Sequence, residues 1–413
     1  NSNVAIGATA MSAALNGALG NTAVGHDTLK ALTTGDYNVA IGHSAGDAIT
    51  TAGYNVLIGY QAGTDLLSGG SNQAIGYGAL ANATDASSNV AIGTNAMENN
   101  ITSNDNIAIG LSAGQSIGRD GTDTDSGHKT IAIGSYAGAD GGANSVFVGY
   151  QAGKGPSTAP YYRKGSNNVG IGTNALAAVT SGSGNVGIGY YGNSRTTTGD
   201  HNISIGSEAY GSSTGDYNIM MGWRSMFTGH TVSYNIAIGY SSMYAVGGGG
   251  YNHAIGYQAM YGHSSAGSPT YNIANGYRAM YQVGVGSNNV AIGHGAGYQM
   301  LSGSNNAYVG HEAGKYVTGS NNTFMGYLAG YGTNTSAPFN SGGDNVALGY
   351  QALRYLTTGN DNVAIGSAAG DAITTGDNNI LIGRGVDASS ATANNETVIG
   401  NSDQQSVKFG GLG

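Results

Sequence analysis

The chain has 413 residues, of which 75 are glycine, 8% are charged and none is cysteine, and its formal net charge is -9. The lack of cysteine excludes disulfides, thiolate metal sites and thiol nucleophiles. The mild acidity, 13 Lys and Arg against 22 Asp and Glu with no basic stripe, argues against nucleic acid and anionic membrane as partners, and no apolar run approaches the roughly 20 residues of a membrane span, so no membrane insertion is expected.

So much glycine would suit a flexible polymer, but here the apolar positions are periodic. A phrase close to Asn-Val-Ala-Ile-Gly begins at Asn3 and recurs to Gly400 in 23 copies. Of the 22 intervals between closing glycines, 14 are 17 residues and the others run from 15 to 24. A fixed period of this kind predicts an all-β solenoid of about 23 coils, in which each coil contacts only its neighbours. Residues 1–400 then form one continuous repeat domain, and 401–413 a C-terminal tail. Asn1 in place of Met implies a processed or excised segment.

Within a copy, the position four before the glycine is Asn in 20 of 23, and the residue just before it is apolar in 22, Ile in 16. The centre of the phrase is Ala in 13 copies. It reads as a short strand whose two branched residues share one face and whose small residue takes the other. The Ile column is expected to be the coil's interior. The Ala column becomes a contact face, against the opposite wall of the coil or a second chain. After the glycine, Ala stands third in 17 copies and an apolar residue is frequent at the seventh position, as in Leu32, Ile49 and Leu66. That spacing fits a helical turn or a second bent strand equally. Thr34-Gly35 and Ser68-Gly69 then supply turns back to the next Asn.

Coils stacked one strand spacing apart give a rod of roughly 110 Å and turn each position into a ladder. Asn38, Asn55 and Asn72, with Ile41, Ile58 and Ile75 beside them, are the structural ladder, the asparagines bonded side chain to side chain. Tyr60, Tyr77, Tyr150, Tyr190, Trp223, Tyr240 and Tyr257 form an aromatic column after the glycine, and Tyr37, Tyr54 and Tyr217 begin a second before the Asn. Such columns stiffen a sheet by stacking, or offer an aromatic strip to glycan. The four prolines all fall in intervals of 20 or 23 residues, which makes the 17-residue unit ordered coil and the long intervals insert loops. These are 119–130, 154–165, 262–270 and 332–343, and Tyr161, Tyr162, Arg163 and Phe339 are the candidate receptor residues within them.

Support for catalysis is slight. His26, His43, His294 and His311 stand in the aromatic column, where a ring among rings explains them, and neither a metalloprotease helix, a nucleophile elbow nor a phosphate loop is present. Asp120, Asp123 and Asp125 form a glycine-bearing acidic segment able to hold calcium, or else a solvated loop; otherwise no cofactor is expected. Asn275 is the one polar residue in the column before the glycine. It marks either an axial polar site, where several copies meet, or a local shift of register.

Asn-Val-Ala-Ile-Gly, residues 34–42, and Gly-Tyr-Gln-Ala-Gly at 59–63 and 149–153 resemble the head repeats of trimeric autotransporter adhesins. They are more similar still to the long repeats of phage and virus tail fibres, and the similarity covers essentially the whole chain. The segment from Asn395 to Ser402 and on to Phe409 resembles the junction before an endosialidase-type intramolecular chaperone. The resemblance implies a parallel homotrimer of left-handed β-rolls, extracellular or on a virion, that attaches to a cell-surface glycan or protein receptor. Adhesin heads use a shorter coil, so their strand layout need not transfer. A thin coil of small residues also needs partner chains to cover it. The expected function is therefore a non-catalytic structural fibre segment for host or surface attachment. Its competitors are a purely structural extracellular filament or matrix polymer and, further off, a glycan-active spike enzyme.

Overall fold

The computed structural model describes residues 2–118, 128–155, 165–209, 214–227, 231–262, 267–333 and 340–403. The chain divides into two units, Asn1–Gly215 and Asp216–Gly413. Among the described residues, unit 1 carries twelve three-residue strands, from β1 (Val4–Ile6) to β12 (Ile203–Ile205). Unit 2 carries eleven, from β13 (Ile219–Met221) to β23 (Thr397–Ile399). Each strand is one copy of the repeated phrase. Within each unit, successive strands pair in parallel and in register, so that β3 (Val39–Ile41) lays Val39, Ala40 and Ile41 against Val56, Leu57 and Ile58 of β4 (Val56–Ile58). The protein is a parallel β-solenoid with a repeat of about 17 residues.

A strand is confined to three residues by what flanks it. The residue before each Asn is left-handed, with φ of 55° at Tyr37 and 63° at Tyr54. The closing glycine turns the chain out again with φ near 136° at Gly42, where a Cβ would run into the Gly59 carbonyl of the next coil. Only glycine meets both conditions, which accounts for its column. The wall after the glycine is neither the helical turn nor the second strand. Its residues alternate handedness, Ser44 and Gly46 having φ of 55° and 58°. Its amides bond to coils on either side, Ser44 N–H to the His26 carbonyl and Gly46 N–H to the Ala62 carbonyl, both at 2.9 Å.

The inside and outside of the coil are the reverse of the sequence expectation. Ala40, Leu57 and Ala74 at the strand centres are fully buried, together with Ala45, Ala62 and Ala79 from the facing wall and Leu32, Ile49 and Leu66 beyond them. The Ile column points outward: Ile41 is 40% exposed, and Ile109, Ile255 and Ile292 stand in the same state. The lumen is too narrow for two columns of branched side chains, so the small residue takes it.

Size compensation keeps the lumen filled. Where the strand centre is Leu57, Phe147, Tyr308 or Phe324, the fourth residue after the glycine is Gly in that coil and in the one before. A Cβ at Gly46 or Gly63 would collide with the Leu57 methyls, and one at Gly153 or Gly330 with the ring of Phe147 or Phe324. Where the centre is Ala74 or Ala91, the same position is Leu80 or Met97, both fully buried. At these positions a large centre is offset by small neighbours, whereas Met220 and Met226 are both buried in one coil and Ala108 stands with Gly114 in another.

The asparagine column runs along the inner edge of each unit. Asn55 donates its backbone N–H and its Nδ2 to Asn38 Oδ1 at 3.1 and 3.0 Å, and Nδ2 also reaches the Gly69 carbonyl at 3.2 Å. Asn55, like Asn38 and Asn72, therefore ties three points: the previous rung, the next rung and the turn that closes its own coil. At Thr130 the backbone N–H still bonds Asn106 Oδ1 at 2.8 Å, while the hydroxyl donates to the Gly142 carbonyl at 2.8 Å in place of an amide; Asn106 Nδ2, directed to the rung before it, is buried without a partner. Pro269 fits its 20-residue interval because its carbonyl accepts Asn252 Nδ2 at 2.8 Å, which uses no N–H.

Candidate functional site

The surface residues that repeat most regularly are aromatic. In unit 1, His26, His43, Tyr60 and Tyr77 stack with centroids 5.0, 5.3 and 5.2 Å apart. Tyr150 is exposed in the same column, and Tyr190 meets Tyr191 edge-on at 4.5 Å. Unit 2 holds a longer ladder. Trp223, Tyr240, Tyr257 and Tyr277 stack at 4.6, 5.0 and 5.2 Å. His294, His311, Tyr327 and Tyr350 continue it at 4.9, 4.8, 5.1 and 5.3 Å.

The column before the Asn stacks too, Tyr37 on Tyr54 at 5.3 Å and Tyr217, Tyr234, Tyr251 and Tyr271 at 5.2, 4.8 and 5.0 Å. A third ladder was missed in the sequence: Phe227, Tyr244, Tyr261, Tyr281 and Tyr298, at 5.1, 5.0, 5.1 and 5.0 Å. It lies five residues after the glycine and only in unit 2, so a search of the whole chain for a shared column passes over it. Aligning the repeats of the second half alone would have exposed it.

Stacking decides what these rings can offer. Each inner rung has a neighbour on both faces, so the edges and hydroxyls are what solvent meets. Sugar or base stacking on a ring face is therefore closed to them except at ladder ends. Burial beside charged neighbours matters next. Partial burial lifts the Tyr261 and Tyr298 phenols above their ordinary range, and the phenols remain neutral donors at physiological pH.

Cations are seated between the ladders. The Arg224 guanidinium lies 4.3 Å from the Trp223 ring and 5.0 Å from Phe227, and Arg278 lies 5.3 and 5.1 Å from Tyr277 and Tyr281. Arg278 Nε also donates to Gln258 Oε1 at 2.9 Å. Lys315 stands over Tyr298, Tyr316 and Tyr331 and pairs with Glu312 at 2.6 Å. Glu312 is joined by His294 and His311 in a group whose donor atoms all lie within 4.8 Å of one another. The two imidazole planes are only 5° from parallel, so their lone pairs run side by side instead of converging.

No protein-family profile matches this chain, and no curated protein is similar to it.

The remaining sequence candidates separate cleanly. Asp120, Asp123 and Asp125, and likewise Tyr161, Tyr162, Arg163 and Phe339, lie outside the described residues. Asn275 ends β16 (Ile273–Asn275), where it pairs in register with Ile255 and Ile292. No shift of register occurs there. Its side chain stands on the outer face with the Ile column, exposed.

Proposed function

We propose that the chain is a non-catalytic structural segment of a fibre that attaches to a surface, assembled as a parallel homotrimer through the outward Val and Ile columns. The observation that carries this is the apolar outer face of the strands. Most coils carry two branched residues on this face, half-buried and exposed as Val39 and Ile41 or Ile107 and Ile109 are, with Gln73, His253 and Asn275 interrupting it. Isolated exposed apolar side chains are ordinary, but a continuous strip of them marks a surface that is covered in the working protein. In-register ladders within each unit give such a strip the regular spacing that a parallel partner needs. The sequence expectation had partner chains covering the Ala face; with Ala inside, the Val and Ile face takes that place.

Attachment rests on the resemblance to adhesin heads and tail fibres together with the aromatic and polar outer walls. The exposed ladders and the scaffold that holds the inserts suit recognition better than turnover, since no convergent acid, base and nucleophile occur among the described residues. The fluorescently labelled full chain incubated with intact cells or cell envelopes should bind saturably and be displaced by unlabelled protein. Binding that never saturates on any envelope tested, or end-to-end filaments in negative stain without envelope binding, would favour a matrix polymer.

A further inference from the structure

The outward strip of unit 2 is apolar except at a few points. Among the first and third positions of its eleven described strands, His253, Asn275, Thr323 and Thr397 are polar, and none is Asp, Glu, Lys or Arg. Threonine still presents a methyl group, so the strong breaks are His253 and Asn275, and they are neighbours. His253 opens β15 (His253–Ile255), Asn275 closes β16, and the pairing sets His253 beside Ile273 and Ile255 beside Asn275. The polar pair thus holds one diagonal of a two-coil square and two isoleucines hold the other, all four exposed. Diagonal neighbours in a sheet lie about 7–8 Å apart, and among the described residues neither polar side chain is hydrogen-bonded within the chain. Stacking of the coils does not require them, since isoleucine fills the same two positions in the coils on either side, at Ile236 and Ile292.

We infer that His253 and Asn275 are a register mark: they set the level at which a second copy of this chain lies parallel against the strip. The inference rests on the homotrimer reading above and names what aligns its chains. Aliphatic contact cannot choose that level. A slip of one coil, about 4.8 Å, exchanges one branched pair for a nearly identical one and gives up one coil of contact in eleven. The polar pair can choose it. Amide and neutral imidazole each carry a donor and an acceptor, so at equal level the two residues meet their counterparts and satisfy one another across the seam. A one-coil slip matches His253 with Asn275 but cannot be repeated around a closed ring. Larger slips bury both among apolar side chains without a partner, the costly state for a polar group. A single polar residue in an apolar seam fixes register in this way in coiled coils, at some loss of stability.

A second copy also suits the strip by size and charge. The eleven strands of unit 2 span roughly 50 Å, and the columns on either side widen the face to about 20 Å. The face is then roughly 1,000 Å² per chain, against about 800 Å² per partner in a standard interface. With no Asp, Glu, Lys or Arg along it, it gives an acidic or basic surface nothing to pair with.

The test is co-expression of two differently tagged copies of the full chain, the share of mixed assemblies being read by tandem affinity purification and their mass by light scattering. Two native copies should mix statistically. A moved-mark variant, His253→Ile/Asn275→Ile/Val346→His/Ile365→Asn, restores the same diagonal five coils further on, in β20 (Val346–Leu348) and β21 (Val363–Ile365). Alone it should form assemblies of the native mass, and circular dichroism would verify its fold. Co-expressed with the native chain it should sort, the mixed share falling at least about tenfold, since each mixed contact leaves both pairs unsatisfied and the slip that would match them abandons five coils of strip. The blank variant His253→Ile/Asn275→Ile should hold together at least as well as the native chain, because branched residues replace polar ones at the seam. Free mixing of native and moved-mark chains in assemblies of native mass would overturn the inference and leave the homotrimer reading standing. Dissociation of the blank variant would also overturn it, by making the pair a source of strength instead of a mark. Native chains that remain single would overturn both readings.

Discussion

At the scale of single residues, the buried polar groups account for most of the specificity of the fold. An asparagine in the ladder satisfies a rung on each side and a turn carbonyl, so its removal leaves several buried groups unpaired. Asn55→Ala is expected to destabilise unit 1 by about 1–3 kcal/mol, read as a lower thermal midpoint. Tyr308 makes the contrasting case. Its ring is fully buried against Phe324 at 5.3 Å, its hydroxyl has no hydrogen-bond partner, and burial drives its ionisation well above the ordinary phenol range. The Asn322 amide lies near enough to act on the phenol electrostatically without meeting hydrogen-bond geometry. Tyr308→Phe should therefore leave the midpoint unchanged or raise it, and a clear fall would show that the hydroxyl is satisfied after all.

The coil is the element, and its sequence was legible only in part. The period, the strand, its glycine stop and the asparagine ladder could all be read from the 17-residue recurrence, because each is a local chemical requirement repeated many times. Which face turned inward could not. Alternation shows that Val39 and Ile41 share a face and Ala40 does not, and the usual preference then puts the larger pair inside. The lumen width decides against that preference, and its sequence trace is the pairing of Leu57, Phe147, Tyr308 and Phe324 with glycines in two coils. That trace lies between repeats, not within one. The wall after the glycine escaped both readings because alternating left-handed residues match neither period.

Size compensation can be tested at this level. Leu57→Ala empties the lumen and should cost about 2–5 kcal/mol. Adding Gly63→Leu, which copies the Ala74 and Leu80 pairing of the next coil, should recover a large part of the loss. The backbone permits it, since Leu80 already holds a left-handed φ of 55°, close to the 59° found at Gly63. Gly63→Leu alone should be worse than either, since it collides with Leu57. Thermal denaturation of the three variants measures the coupling directly, and simple additivity of the two single effects would mean that the positions do not share the lumen.

At the scale of the molecule, charge and apolarity are distributed by wall. Small residues and amides face inward, branched aliphatics occupy the outer sheet face, and stacked rings take the adjoining walls. The outer sheet face has no polar alternation to explain it as a solvated surface. The account therefore turns on what covers it. The most direct measurement is the molar mass of the full chain in dilute solution by light scattering, alongside the variant Ile255→Glu/Ile292→Glu, which places charge on the strip without touching the lumen. A homotrimer joined through this face has three times the 41.2 kDa chain mass, and the variant should shift towards single chains. A native protein that stays at 41.2 kDa across the micromolar range would contradict it.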